Sequence, residues 1–292
     1  MSRFREYVAI DWSGAAGERH KGIAVASCGR EGPPILSQPE AGWSREDTAR
    51  LLSHGIAEDT LIGLDLGMAL PFADCGAYFP GLADSPPNAR ELWALVDEVC
   101  RDDPHLAAGS FVDDPRFAPY FRRHGGREGD RFRCDGAFHG RGRFRVTEHA
   151  QAAMGCKPYS NFNLVGAAQV GKSSLTGMRV LHRLAGALPV WPVDPLPPSG
   201  SVVVEIYTTI AAITAGRSAN RAKIRSFAEL NTALAALGSP PVEGAGAIDD
   251  HSADALLAAA WLRAVADDAR LWRPPGLTDE IARTEGWTFG AV

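Results

Sequence analysis

The hydrophobic pattern opens on Tyr7-Val8-Ala9-Ile10, an apolar run closed by Asp11 and followed by Trp12-Ser13-Gly14-Ala15-Ala16-Gly17. A short apolar run bounded by a glycine-bearing turn predicts a buried strand. Residues 21–28, with β-branched Ile23 and Val25, read as a second strand, and residues 35–37 as a third. Ser44 then stands as the N-cap of a helix reaching His54, with Glu46 and Asp47 in its first turn and Leu51 and Leu52 facing inward. Leu61-Ile62-Gly63-Leu64-Asp65-Leu66 repeats the opening pattern, an apolar strand that delivers an aspartate. Further helices are expected over residues 88–101, 173–187 and 227–237, and a strand over 202–207 after a proline-rich linker from Pro189 to Pro198. The last expected helix starts at Asp249 or Asp250 and runs through Leu262, with an irregular tail beyond Arg273. This order predicts an α/β domain, a mixed sheet flanked by helices.

The stretch from about residue 74 to residue 160 differs in character: apart from the helix at 88–101 it is rich in Gly, Pro, Arg and aromatics. A long stretch with little regular pattern is usually functional or inserted, so it reads as an insertion in a single domain spanning residues 1–292. Its arginines include Arg122, Arg123, Arg131, Arg133, Arg143 and Arg145, interleaved with Phe117, Tyr120, Phe121, Phe132, Phe138 and Phe144. Guanidinium groups bind phosphate and aromatic faces stack unpaired bases, which makes the segment a candidate nucleic-acid groove. The competing expectation is a solvated loop with a few Phe anchors in the core.

Composition narrows this picture. With 292 residues, 45% hydrophobic and 22% charged, the chain has enough apolar material for one large domain. A net charge of -5 excludes a polycation, so nucleic acid has to be held by a local basic patch. The five cysteines (Cys28, Cys75, Cys100, Cys134, Cys156) are scattered without a C-x-x-C pair, which argues against a disulfide framework or zinc site and for a reducing, cytoplasmic compartment. Residues 1–6 are polar, with no apolar targeting segment, and the apolar helical run at 255–262 is far shorter than the roughly 20 residues needed to span a membrane. No membrane partner is expected, and nothing in the pattern bears on oligomeric state.

The chemistry lies in the acids. Asp11, Asp65 and Glu205 each end or interrupt an apolar strand, where an unpaired carboxylate costs several kcal/mol. Strands ending at one sheet edge bring their terminal side chains together. Asp254 interrupts an apolar helix, with Asp250 and His251 near the same helical face. Like charges gathered in one place call for a cation. Oxygen ligands without cysteine suit Mg²⁺ or Mn²⁺, and two such ions about 4 Å apart support phosphodiester cleavage. Each acid also has a structural reading. Glu205 can pair with an arginine, Asp249 can cap the last helix with Asp250 favoured by its dipole, Asp65 before Gly67 can belong to a turn, and His251 can be a hydrogen-bonded structural residue.

A competing motif is Gly166-Ala167-Ala168-Gln169-Val170-Gly171-Lys172-Ser173, which satisfies the phosphate-loop pattern G-x-x-x-x-G-K-[ST] and opens the possibility of an ATPase or kinase-like enzyme. Its preceding strand is short and half polar, so a glycine-bearing turn before a helix is the alternative. Lys172 remains a candidate phosphate contact in a nucleic acid.

Tyr7-Val8-Ala9-Ile10-Asp11-Trp12-Ser13-Gly14, Leu61-Ile62-Gly63-Leu64-Asp65, Val203-Val204-Glu205-Ile206-Tyr207 and Asp250-His251-Ser252-Ala253-Asp254-Ala255-Leu256 resemble, in order, the blocks of a family of predicted RNase H-like nucleases (domain of unknown function 429). The last block also resembles the His-x-x-Asp-Ala helix of RuvC-type resolvases. The resemblance implies an RNase H-like fold and a two-metal nuclease site. Asp11, bridging two ions, Asp65 and Asp254 would be ligands, joined by Glu205 and by His251 or Asp250. The residues do not choose between DNA and RNA, and a non-catalytic nucleic-acid-binding module on the same fold is the remaining alternative.

Overall fold

A computed structural model describes residues 3–134, 141–165, 169–184, 186–221 and 223–292. The strands are β1 (Glu6–Asp11), β2 (Arg19–His20), β3 (Ala24–Gly29), β4 (Ile35–Ser37), β5 (Trp43–Ser44), β6 (Thr60–Asp65), β7 (Val190–Trp191) and β8 (Val202–Glu205). The α-helices are α1 (Arg45–Arg50), α2 (Ala89–Val99), α3 (Gly109–Asp113), α4 (Val146–Ala153), α5 (Val170–Arg183), α6 (Thr208–Thr214), α7 (Phe227–Ala236), α8 (Asp250–Val265) and α9 (Asp279–Thr284). Among the described residues the main sheet has six strands in the order β4-β3-β1-β6-β8-β7. β3 runs antiparallel to both β1 and β4, whereas β1, β6, β8 and β7 are parallel. The architecture is thus α/β with a mixed sheet flanked by helices.

β1 and β6 are apolar at successive positions because both sheet faces are covered. One face carries Val8, Ile10, Ile62 and Leu64 and packs with Trp93 of α2 and Leu175 of α5. The other carries Tyr7, Ala9 and Leu61 and packs with the alanine-rich helix α8. Asp249 caps α8 by accepting from the Ser252 amide at 2.9 Å, the structural role weighed for it above. Alanines on α8 let it lie close to β1 and β3. Gly63 serves the same close approach in the middle of β6: a Cβ there would sit 2.8 Å from Ile206 Cγ2 and 3.0 Å from Leu262 Cδ1.

Several elements depart from the sequence pattern. β7 lies inside the proline-rich linker, α9 forms in the tail expected to be irregular, and α4 and α6 were not foreseen. The helix expected from residue 173 begins at Val170. The Arg- and aromatic-rich middle is packed into the core: Phe79, Phe111, Phe117, Tyr120, Phe121 and Phe132 are buried with the residues of one sheet face. Cys75 and Cys134 are joined as a disulfide, where the scattered cysteines argued against a disulfide framework, while Cys28, Cys100 and Cys156 remain free and buried. Among the described residues no helix is long and apolar enough to cross a membrane.

Arg143 fastens the middle segment to the core. Its guanidinium, 0% exposed, donates to both Asp74 carboxylate oxygens at 2.9 and 2.6 Å and to the carbonyls of Pro71, Ala77 and Tyr78. Removing the guanidinium leaves three carbonyls and the half-buried Asp74 carboxylate without their donor. Arg143→Ala is therefore expected to lower unfolding free energy in urea by about 3–5 kcal/mol, whereas Arg133→Ala, whose ion pair with Glu128 is exposed, should leave the urea midpoint unchanged.

Candidate metal centre

β1 and β6 pair in parallel so that Asp11 lies opposite Asp65. Register partners share a face, and strand alternation turns both carboxylates toward α8. Asp254, on the second turn of α8, projects into the same place, and His251, one turn earlier, brings Nδ1 to 2.5 Å from Asp11 Oδ2. Thr208, the first residue of α6, donates its hydroxyl to Asp65 Oδ2 at 3.1 Å. The Lys223 ammonium lies 3.1 Å from Asp254 Oδ2 and 3.5 Å from Asp250 Oδ2. These groups line a cleft of about 520 Å³, closed on its other sides by Ser13, Gly14, Tyr159, Asn161, Gln169 and Ser173.

The loop after Asp11 is held from several directions. Trp12 Nε1 donates to Thr176 Oγ1 at 3.0 Å, and buried Arg45 donates to the carbonyls of Ser13 and Ala15. Gly14 lies against the start of α5, where a Cβ would come within 2.4 Å of the Lys172 carbonyl carbon and the Ser173 nitrogen. Only glycine permits that approach.

Burial and mutual repulsion dominate the electrostatics. The Asp65 carboxyl is held well above its usual range, first by burial, then by the charges of Asp11 and Asp254, with Thr208 offsetting only part. Burial, together with Asp11 and Asp250, pushes Asp254 up to about 6 against the opposing pull of Lys223. Asp11 is raised by burial, and its hydrogen bond to His251 works the other way. That same bond raises His251. Three carboxyls thus line one cleft, with the Lys223 ammonium on Asp254 and the His251 ring on Asp11.

Glu205 is placed differently. β8 is offset by one residue, so that Glu205 pairs with Leu64 rather than with Asp65, and its side chain leaves the sheet on the opposite face. There it accepts from Arg145 at 2.8 and 2.6 Å, from the Met68 amide at 2.7 Å and from Thr288 Oγ1 at 2.5 Å. Arg145 also grips Glu148 at 2.6 Å and the Glu285 carbonyl at 3.0 Å. Glu205 borders the cleft, yet its oxygens are spent on this network; the arginine pairing describes it, and the ligand role does not. Arg145, 1% exposed in the same network, does not belong to a nucleic-acid surface.

Among the described residues, most of the other arginines named above are engaged by the protein itself. Arg143 is buried, Arg123 binds the Asp113 carboxylate and the Val112 carbonyl, and Arg131 binds the Pro80 carbonyl and the Tyr120 hydroxyl. Arg133 is paired with Glu128 at 2.8 Å, and Arg122 is half-buried. Phe117, Tyr120, Phe121, Phe132 and Phe144 are buried and offer no face to a base, while Phe138 lies outside the described residues. Lys172 is exposed.

The phosphate-loop pattern also resolves into packing where it is described; Gly166, Ala167 and Ala168 lie outside the described residues. The Gly171 amide donates to the Asn163 carbonyl at 3.0 Å, and a Cβ on Gly171 would come within 2.5 Å of the Asn161 oxygen. That amide is unavailable to a phosphate, and the glycine is explained by close approach. Among the described residues, Asp74, Cys75 and Cys134 form a group with ligand atoms within 4.8 Å of one another, but its sulfurs are joined and Asp74 is held by Arg143.

The sequence pattern missed Lys223, Thr208 and Tyr159. Lys223 and Tyr159 sit in irregular stretches, where no periodicity marks a side chain as facing the cleft, while Thr208 follows β8 closely enough to have been flagged. Comparison with protein-family profiles, with curated proteins and with solved structures gives no match for the chain.

The raised Asp254 carboxyl has a signed consequence. Its folded value of about 6 exceeds the unfolded value near 3.8, so the folded chain binds the proton more tightly. Stability should therefore be greatest at low pH and fall as pH rises through that window, by up to about 2–3 kcal/mol from this group. Chemical denaturation in EDTA across this range should give a shallower fall for Asp254→Asn than for the parent chain.

Proposed function

We propose that this chain is a Mg²⁺- or Mn²⁺-dependent nuclease of RNase H-like fold that hydrolyses phosphodiester bonds of DNA or RNA. The observation that carries the reading is the in-register pair Asp11 and Asp65, faced by Asp254 from α8, each carboxyl raised by burial and, for Asp65 and Asp254, by the acids beside it as well. The sheet supports it. β1 is central, β3 is antiparallel to its neighbours β1 and β4, and β6, β8 and β7 add in parallel on the far side.

The donor set fits the ion class. Asp11, Asp65 and Asp254 offer hard oxygens with no thiolate among them, and a divalent cation would relieve the repulsion that raises their affinity for protons. Bound there, such ions activate water and neutralise charge developing on phosphorus oxygens.

The chain's own groups supply position. His251 orients Asp11, Thr208 orients Asp65, and the Arg145–Glu205 pair fixes the turn after Asp65 through the Met68 amide. Substrate contact in this reading falls to the cleft wall: Tyr159, 40% exposed with Arg141 of the middle segment over its ring, and Gln169 and Ser173 at the start of α5, beside exposed Lys172. Rigid placement of this kind is where such catalysis gains most of its rate.

Labelled single-stranded, duplex and branched DNA, and RNA, incubated with the chain in Mg²⁺, Mn²⁺ or EDTA provide the test. Cleavage that requires metal and falls by at least about 100-fold in Asp11→Asn is expected, on the scale of losing one preorganised charged group. Absence of cleavage on every substrate, together with tight ATP binding that Lys172→Ala abolishes, would contradict the proposal.

A further inference from the structure

Lys223 occupies an unusual place. It lies between a short 3₁₀ turn (Ala219–Arg221) and α7, outside regular structure, and its side chain is 56% exposed. Its ammonium nevertheless reaches in to the deeply buried Asp254, at 3.1 Å, and to Asp250, at 3.5 Å. The Arg145–Glu205 contact nearby is a different kind of ion pair, with both partners buried and two parallel contacts at 2.8 and 2.6 Å. Arginine's planar fork makes such a clamp stiff, whereas a lysine is a point charge on a flexible four-carbon stem. One pair is a fixture of the fold; the other can open without disturbing a single backbone hydrogen bond.

We propose that Lys223 is a tethered cation that competes with divalent metal for the Asp11, Asp65 and Asp254 cluster, occupying the Asp254 oxygen in the resting chain and leaving it when an ion enters. This rests on the metal reading above. Two positive centres cannot share one carboxylate oxygen without strong repulsion, and an ion ligated by Asp254 would lie within a few ångströms of the ammonium. The lysine is the mobile partner, because its stem already borders solvent and the cleft. Released, the ammonium remains tethered at the cleft wall, where a phosphate would meet it. Two effects follow. Lys223 stabilises the acidic cluster without metal, and it weakens metal binding relative to the same cluster without the lysine.

Mn²⁺ titration of the full chain by calorimetry, with melting temperatures in EDTA and in saturating Mn²⁺, tests this in parent, Lys223→Met, Lys223→Gln and Lys223→Arg chains. Lys223→Met and Lys223→Gln should bind Mn²⁺ about 10-fold more tightly, corresponding to removal of one ion pair. Both should melt lower in EDTA and recover the parent value in Mn²⁺. Lys223→Arg, which keeps the cation, should stay near parent affinity. Equal or weaker Mn²⁺ affinity in both neutral variants overturns the proposal and leaves the metal centre standing. Absence of Mn²⁺ binding in every chain, parent included, overturns the metal centre itself.

Discussion

Parallel pairing of β1 with β6 in a register that sets Asp11 against Asp65 confines two carboxylates side by side in a cleft, and much of the surrounding structure answers that confinement. A carboxylate removed from water loses several kcal/mol of hydration, and a second one beside it adds repulsion. α8 adds a third, Asp254, and with it His251 as the partner of Asp11. Thr208 and Lys223 then arrive from separate segments to hydrogen-bond the remaining acids. The carboxyls remain raised after all of these contacts, so the charge is left partly uncompensated. A fold selected for stability alone would replace such groups with apolar ones of similar volume. Their retention at the mouth of a cleft is the physical reason to read them as a site.

Around this centre the charged residues divide into two kinds. Arg45, Arg143 and Arg145 are buried, multiply bonded and point inward. They bind the loop after Asp11, the segment near Asp74 and the turn after Asp65 into one frame. The frame matters because ligand or substrate geometry is only as good as the groups that hold it. Lys223 is the second kind, half in solvent on a flexible four-carbon stem.

The strands bearing Asp11 and Asp65 were legible because short apolar runs closed by an acid are locally encoded, and the capped helix bearing Asp254 was legible for the same reason. What failed to be legible was anything that depends on register or on burial. Glu205 looks like a third strand-end acid, yet the one-residue offset of β8 against β6 sends it to the other face, and no local pattern carries that offset. Arginines interleaved with phenylalanines have the same composition whether they line a groove or build a core; here most of the rings fill the core, and Arg123, Arg133 and Arg143 pair with acids. Gly171 satisfies a phosphate-loop pattern, but its close approach to Asn161 explains it as packing. β7, two residues inside a proline-rich stretch, is recruited by its neighbour β8 rather than by its own propensity.

The most direct measurement is anomalous diffraction from a crystal of the chain soaked in Mn²⁺, because it reports position rather than activity. Manganese density among Asp11, Asp65 and Asp254, as two peaks about 4 Å apart, with Lys223 turned away from Asp254, is expected. A well-diffracting soaked crystal with no density at Asp11, and Lys223 still paired with Asp254, would contradict the account.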